Sequence, residues 1–296
     1  MLSVIAWILS AYVLHGIMTI FSIEKKRQSM AMLIYALLPS SVLLTSVTLR
    51  EAYQLFFINL AFFFVAKIHI QHKKIYWILI PLPLIAMSIL HWALLIYSAL
   101  FLTSFIYIII VNKYIQLGFT KIGWGTTVFM VLTMTILMLL LNNSSYGSEN
   151  GIAAAVQVYI ERGITLANGA RASYRESIHI DDTSSLLLYL STAFFQYFTE
   201  PMPWRNLKLL DLVAILENYL RIWLIYKLIS NAIIAKFEST KGLHLLLIFS
   251  YFVSEFIWSI GTINWGTAMR HHVPAMGLLL VAAFLQYSVP RNDKVN

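Results

Sequence analysis

Apolar residues in this chain come in long unbroken blocks joined by short polar connections. Neither the period-2 alternation of half-buried strands nor the one-sided stripe of soluble helices runs through them. The blocks are Leu2 to Phe21, Met30 to Leu49, Ala52 to Ala66, Ile75 to Leu90, Trp92 to Val111, Ile122 to Leu141, Leu209 to Ile229, Leu243 to Thr262 and Val273 to Val289. Most reach the roughly 17–25 residues that cross a hydrocarbon core, and lysines can snorkel at the ends of the shorter ones. The pattern predicts an all-α polytopic membrane protein of about nine transmembrane helices. Pro81 and Pro83 predict a kink in the fourth block. Intramembrane Asn59 reads as hydrogen-bonding glue between helices.

A tenth apolar run, Ser184 to Phe198, is about fifteen residues long and ends at Thr199-Glu200-Pro201-Met202-Pro203-Trp204. If it crossed the membrane, Arg270 would move inside and Lys236, Lys241 and Lys294 outside, against the usual charge bias. The sequence therefore predicts a re-entrant or interfacial segment. Irregular backbone at membrane depth needs protein or water around it, so this segment implies an outward-facing cavity. Three regions result: a transmembrane scaffold (1–141), an outer loop with amphipathic and re-entrant segments (142–208), and C-terminal transmembrane helices carrying an outer Arg-His motif (209–296). In the outer loop, Ile152 to Leu166 reads as an interfacial amphipathic helix. Arg171 and Arg175 follow at i,i+4 and would share a face in a helix.

The spans fix every connection and reveal a sorting of basic residues. The side holding Lys25, Lys26 and Arg27 also collects Lys67, Lys73, Lys74, Lys113, Lys121, Lys227, Lys236, Lys241, Arg291 and Lys294. The other side holds Arg50, Arg162, Arg171, Arg175, Arg205, Lys208 and Arg270. Lysines on one side are the ordinary positive-inside bias, which puts the N-terminus outside and the C-terminus in the cytoplasm. Outer arginines ask for another reason: the guanidinium fork grips phosphate or carboxylate bidentately. The plainer reading is lipid-headgroup contact, or pairing with Glu51, Glu161 and Glu176.

Composition narrows the function classes. The chain is 59% apolar and 11% charged, with mean hydropathy +0.76, as for an integral membrane protein. Lysines on one side account for the +8 charge, so nucleic acid is not indicated as a partner. Zero cysteines exclude disulfides, thiolate metal sites and a thiol nucleophile. No nucleotide-binding glycine loop, cofactor motif or metal-ligand spacing is present, so the expectation is no cofactor and no metal. The N-terminal charges follow the first apolar run, which predicts an uncleaved first span.

Glu217 and Arg221 fall mid-span at i,i+4, and Glu255 is the only charge in its own span. Such charges face a cavity or a partner. One reading is a proton or substrate path. The favoured one is a buried Glu217–Arg221 pair that fixes helix register, with Glu255 as second partner for Arg221. The loop from Gly261 to Pro274 is the sharpest motif. Asn264 offers neutral hydrogen bonds, Trp265 a flat face for a sugar ring, and Arg270 a permanent charge beside the imidazoles of His271 and His272.

Two stretches, Thr199-Glu200-Pro201-Met202-Pro203-Trp204 with Glu217, and Asn264-Trp265-Gly266-Thr267-Ala268-Met269-Arg270-His271, carry a resemblance. Across roughly residues 140 to 290 the chain resembles multi-pass proteins of bacterial surface-polysaccharide biosynthesis, the O-antigen or exopolysaccharide polymerases and membrane glycosyltransferases. The resemblance implies transfer of a glycan from undecaprenyl diphosphate at the outer face of the bacterial cytoplasmic (inner) membrane. The partners it implies are an undecaprenyl-diphosphate-linked oligosaccharide and membrane lipid, with room for a chain-length regulator protein. The chemistry needs fixed positive charge for a diphosphate leaving group and a base for a sugar hydroxyl. The expected roles are Arg171, Arg175 and Arg270 on diphosphate, His271 or Glu200 as base, and Trp204, Trp265 and Asn264 on sugar. Rival readings are a transporter or flippase for lipid-linked glycans and a non-catalytic subunit of a biosynthetic complex.

Overall fold

A computed structural model of the chain describes residues 2–46, 50–116, 158–161, 165, 171–175, 183–205, 208–234 and 241–285. Its elements are helices: α1 (Leu2–Ile20), α2 (Lys25–Leu37), α3 (Pro39–Ser46), α4 (Glu51–His69), α5 (Tyr76–Leu79), α6 (Pro81–Leu90) and α7 (Ala93–Gln116). Further along the chain come α8 (Thr183–Thr199), α9 (Leu209–Ile234), α10 (Lys241–Gly261), α11 (Trp265–His271) and α12 (Met276–Phe284). Among the described residues the only other pairing is an isolated antiparallel bridge between Ser173 and Asn264. Four helical stretches are long and apolar enough to cross a membrane: Leu2–Ile20, Glu51–His69, Ala93–Ile110 and Gly242–Gly261. The block Ile122 to Leu141, most of the amphipathic stretch Ile152 to Leu166, and Arg162, Glu176, Asp181 and Asp182 lie outside the described residues.

The second apolar block is not one helix. It breaks at Leu38, which is extended (φ −63, ψ 113), before Pro39 opens α3. Proline lacks the N–H that would continue the helix, and its ring drives the preceding residue out of the helical region. The fourth block divides at Ile80, directly before Pro81, where the prolines predict a kink. Residues 171–175 are not helical, so Arg171 and Arg175 share no helix face. The bridge to Asn264 and the bonds from Tyr174 N–H to Ile263 O (3.0 Å) and Trp265 N–H to Ala172 O (3.2 Å) hold this segment extended.

Helix direction and long-range bonds define two ends of the bundle. Trp265 and Asp211 meet at one end, where α9 begins and α10 has just finished. Arg270 and Glu51 bring the start of α4 to the same end. Lys67 near the end of α4, Lys25 and Lys26 at the start of α2, and Lys241 at the start of α10 belong to the other. The sorting of arginine from lysine is thus built into the helix packing. Helix α8 is partial. Its Tyr189 hydroxyl donates to Ile260 O at the arginine end (2.7 Å), whereas Glu200 O, just past its last turn, accepts from Asn218 on α9 (2.8 Å). Asn218 lies seven residues beyond Asp211, about 10 Å along the helix axis. Lys208, whose N–H donates to Asp211 (2.7 Å), is back at the start of α9.

At the centre, α4 packs on α1 and α12. Asn59 Nδ2 donates to Ser10 Oγ of α1 (2.8 Å), the interhelical role its position predicts. Gly277 of α12 faces the same amide: a Cβ there would lie 2.1 Å from Asn59 Oδ1. Gly277→Val should lower stability by about 1–3 kcal/mol, read as a lower thermal unfolding midpoint in detergent. Asn59→Ala in the same chain should recover part of the loss, whereas no recovery would place the strain elsewhere.

Candidate functional site

Three arginines on the arginine-bearing part of the bundle are each held by a buried carboxylate. Arg171 binds Asp211 through both terminal nitrogens (2.6 and 3.2 Å). Arg205 binds Glu200 through Nε and Nη2 (3.1 and 2.6 Å). Arg270 Nη2 binds Glu51 Oε1 (2.8 Å). The arginine side chains are 38%, 38% and 37% exposed, their carboxylates 7%, 5% and 1%. In each pair the acid anchors from within and the guanidinium faces outward. Hydrogen bonding to the carboxylate raises the pKa of both Arg171 and Arg205, so these charges are permanent.

Each acid is itself positioned by local structure. Asp211 lies in the first turn of α9, where it also accepts from Lys208 N–H (2.7 Å) and from the Trp265 indole (2.8 Å). Glu200 follows the last turn of α8 and accepts from Met202 N–H (3.1 Å) as well as from Arg205. Glu51 occupies the first turn of α4, where the helix dipole favours a negative charge.

His271 ends α11. Asn264 caps the start of that helix, its Oδ1 accepting from Gly266 N–H (2.8 Å) and Thr267 N–H (3.3 Å). The His271 ring stacks on Trp258 (centroids 4.1 Å apart, 24° between planes). Its tautomer follows from counting protons. The Thr262 hydroxyl donates its single hydrogen to Trp258 O (2.6 Å), so at 2.8 Å it accepts from His271 Nδ1. Nε2 therefore carries the lone pair. Burial, then the charges of Arg270, His91 and Arg50, hold His271 well below the usual imidazole range. The ring is a neutral base.

The other expected site residues fall differently. Arg175 is 6% exposed, and each of its guanidinium nitrogens is bonded to a neutral oxygen: Gln196 Oε1 (3.0 Å), Tyr189 OH (2.9 Å), Ser259 O (3.3 Å) and Ala193 O (2.9 Å). It pins residues 171–175 onto α8 and α10, and its side chain is buried away from the surface. Glu200 has both oxygens engaged by Arg205 and Met202, which fits an anchor rather than a base. Trp265 is 4% exposed, with Arg171 over its ring (5.6 Å), so it offers no open face to a sugar. Trp204 is 77% exposed beside Arg205. Sequence reasoning left Thr262 and Trp258 unassigned. Thr262 lies in the Gly261–Pro274 loop and Trp258 just before it, and only their contact with His271 reveals their part.

Half-way along the bundle a second polar group forms. Glu217 and Arg221 do not pair. Glu217 Oε1 accepts Ser40 N–H (2.6 Å), a donor freed by the break at Pro39, and Arg221 Nη1 donates to Asn218 Oδ1 (2.6 Å). Glu255 contacts His272 Nδ1 instead of Arg221. His272 Nε2 meets the Tyr197 carbonyl (3.3 Å), an acceptor only, so Nε2 carries a proton. The Glu255–His272 contact therefore shares one further proton.

No family model, curated protein or solved structure matches the chain.

Neutral imidazoles make the arginine end sensitive to acid. Burial and the Arg50 charge lower the His91 pKa to about 4, against an opposing effect of Glu51, and His271 is also depressed. Unfolded histidines take up protons near pH 6.5, so the folded state is favoured above that pH and loses this contribution as pH falls toward 4. The thermal midpoint should drop between pH 7 and 5. His91→Gln should flatten part of that drop, and an unchanged slope would remove His91 from the effect.

Proposed function

We propose that this chain is a surface-polysaccharide polymerase or glycosyltransferase that uses polyprenyl-diphosphate-linked glycan. In this reading the protein has nine spans and a re-entrant α8, and its arginine end faces outward from a bacterial cytoplasmic membrane. The supporting observation is the set of outward arginines, each fixed by a buried acid, near a neutral histidine. An acid bonded to each guanidinium fixes its orientation, and preorganised charge is what a developing diphosphate needs. Arg171, Arg205 and Arg270 receive the diphosphate, and Trp204 offers a stacking face to the glycan. His271 Nε2 takes the proton of the acceptor hydroxyl as its oxygen bonds to the anomeric carbon. The bond from that carbon to the diphosphate breaks, and the electron pair leaves with the diphosphate. Thr262 holds the tautomer that makes Nε2 the base.

The mid-depth group favours a second reading, transport of a lipid-linked glycan. Broken helices that meet around buried ionisable residues are a feature of transporter sites. Here the break at Pro39, the end of α8 and the turn between α11 and α12 come together around Glu217, Glu255 and His272.

Polymer length from purified lipid-linked repeat units separates the two. His271→Gln should reduce elongation by about 10²–10⁴-fold, the usual contribution of a placed base. Arg270→Lys should also be impaired, since lysine keeps the charge and loses the fork. Arg27→Lys, at the lysine end, should be silent. Full-length polymer from both His271→Gln and Arg270→Lys would leave the transport reading standing.

Orientation has its own measurement, because the chain lacks native cysteine. Arg50→Cys should react with an impermeant thiol reagent in intact cells, and Lys73→Cys only after permeabilisation. The reverse pattern would sink the outward-facing site.

A further inference from the structure

At the lysine end, α1 and α4 leave between them an open groove of about 410 Å³. Its apolar wall is Val13, Gly16, Ile20 and Phe63, and its polar end is Lys67 and Gln71. Gly16 and Phe63 form its floor: a Cβ at Gly16 would lie 3.0 Å from Phe63 Cε2, so the missing side chain lets the ring lie against α1. The Lys67 ammonium lies over the Phe63 ring (5.1 Å) and donates to Gln71 Oε1 (3.0 Å). Among the described residues no carboxylate comes within ion-pair distance of it. A cation at the mouth of an apolar trough, with no carboxylate against it, has the chemistry to take a lipid with an anionic headgroup.

We propose that this groove binds one anionic phospholipid, its phosphate on Lys67 and an acyl chain along Gly16 and Phe63. The groove is distinct from the arginine pairs, and nothing in the assignment depends on glycan chemistry. Charge and shape divide the recognition. Lys67 selects the headgroup, and the Gly16 floor admits the chain. Residues 12–20 of α1 span about 12 Å of that trough, enough to seat the first part of an acyl chain.

Native mass spectrometry of the full chain in detergent, with added phosphatidylglycerol or phosphatidylcholine, tests this. The wild type should retain one phosphatidylglycerol in preference to phosphatidylcholine. Lys67→Gln should weaken that retention by about fivefold, the worth of one lysine near an anionic lipid. Gly16→Leu should weaken retention of the bound lipid as well, and Lys74→Gln should leave it unchanged. Excess inorganic phosphate should not displace the lipid. Equal retention of phosphatidylcholine, an equal loss in Lys74→Gln, or displacement by phosphate alone would each overturn the assignment. The first means no charge selection, the second a diffuse basic surface, and the third a headgroup site without a chain groove.

Discussion

A carboxylate taken out of water must find a counter-charge or a set of N–H donors, and the architecture follows from that demand. Among the described residues five acids are essentially buried: Glu51, Glu200, Asp211, Glu217 and Glu255. Each meets a partner supplied by a chain end, a helix break or a distant loop. Asp211 and Glu51 lie in first turns, where helix dipoles favour them. Glu200 closes α8 part-way through the bundle and is met by Arg205 from the returning strand of chain. Glu217 uses the N–H released by Pro39, and Glu255 uses His272. Without these acids, neither the proline break nor the shortened α8 would have an electrostatic reason to stand where it does.

Arginine serves two different ends here, and burial separates them. Arg175 is surrounded by neutral oxygens and two tyrosine rings, which position the backbone of residues 171–175. Arg171, Arg205 and Arg270 are braced by acids and a little over a third exposed. The first is a structural pin. The other three are fixed in orientation by an acid while part of each guanidinium stays open.

Much of the layout is legible in the sequence. The separation of lysine from arginine follows from counting spans, and the half-length run before Glu200 corresponds to a helix that ends within the bundle. What escapes sequence is partner choice. Glu217 and Arg221 have ideal spacing for a pair on one helix, yet a donor on Ser40, 177 positions away, takes the carboxylate. Arg171 and Arg175 have helical spacing, but backbone bonds to residues near 263 impose an extended form. Pro39 carries a readable signal, a proline in an apolar block, that block length alone obscured. In each case a contact from elsewhere in the chain overrides a local pattern.

The pairing of Glu51 with Arg270 joins residues 219 positions apart. A chain is synthesised at about 5–20 residues per second, so Arg270 emerges about 10–45 s after the glutamate it neutralises. Through that interval Glu51 has no guanidinium, and an ionised carboxylate has no stable place inside an apolar bundle. The start of α4 therefore waits at the water interface and settles only as the last helices arrive. In the order of synthesis, the salt bridge that braces the arginine end is therefore also the clasp that closes it.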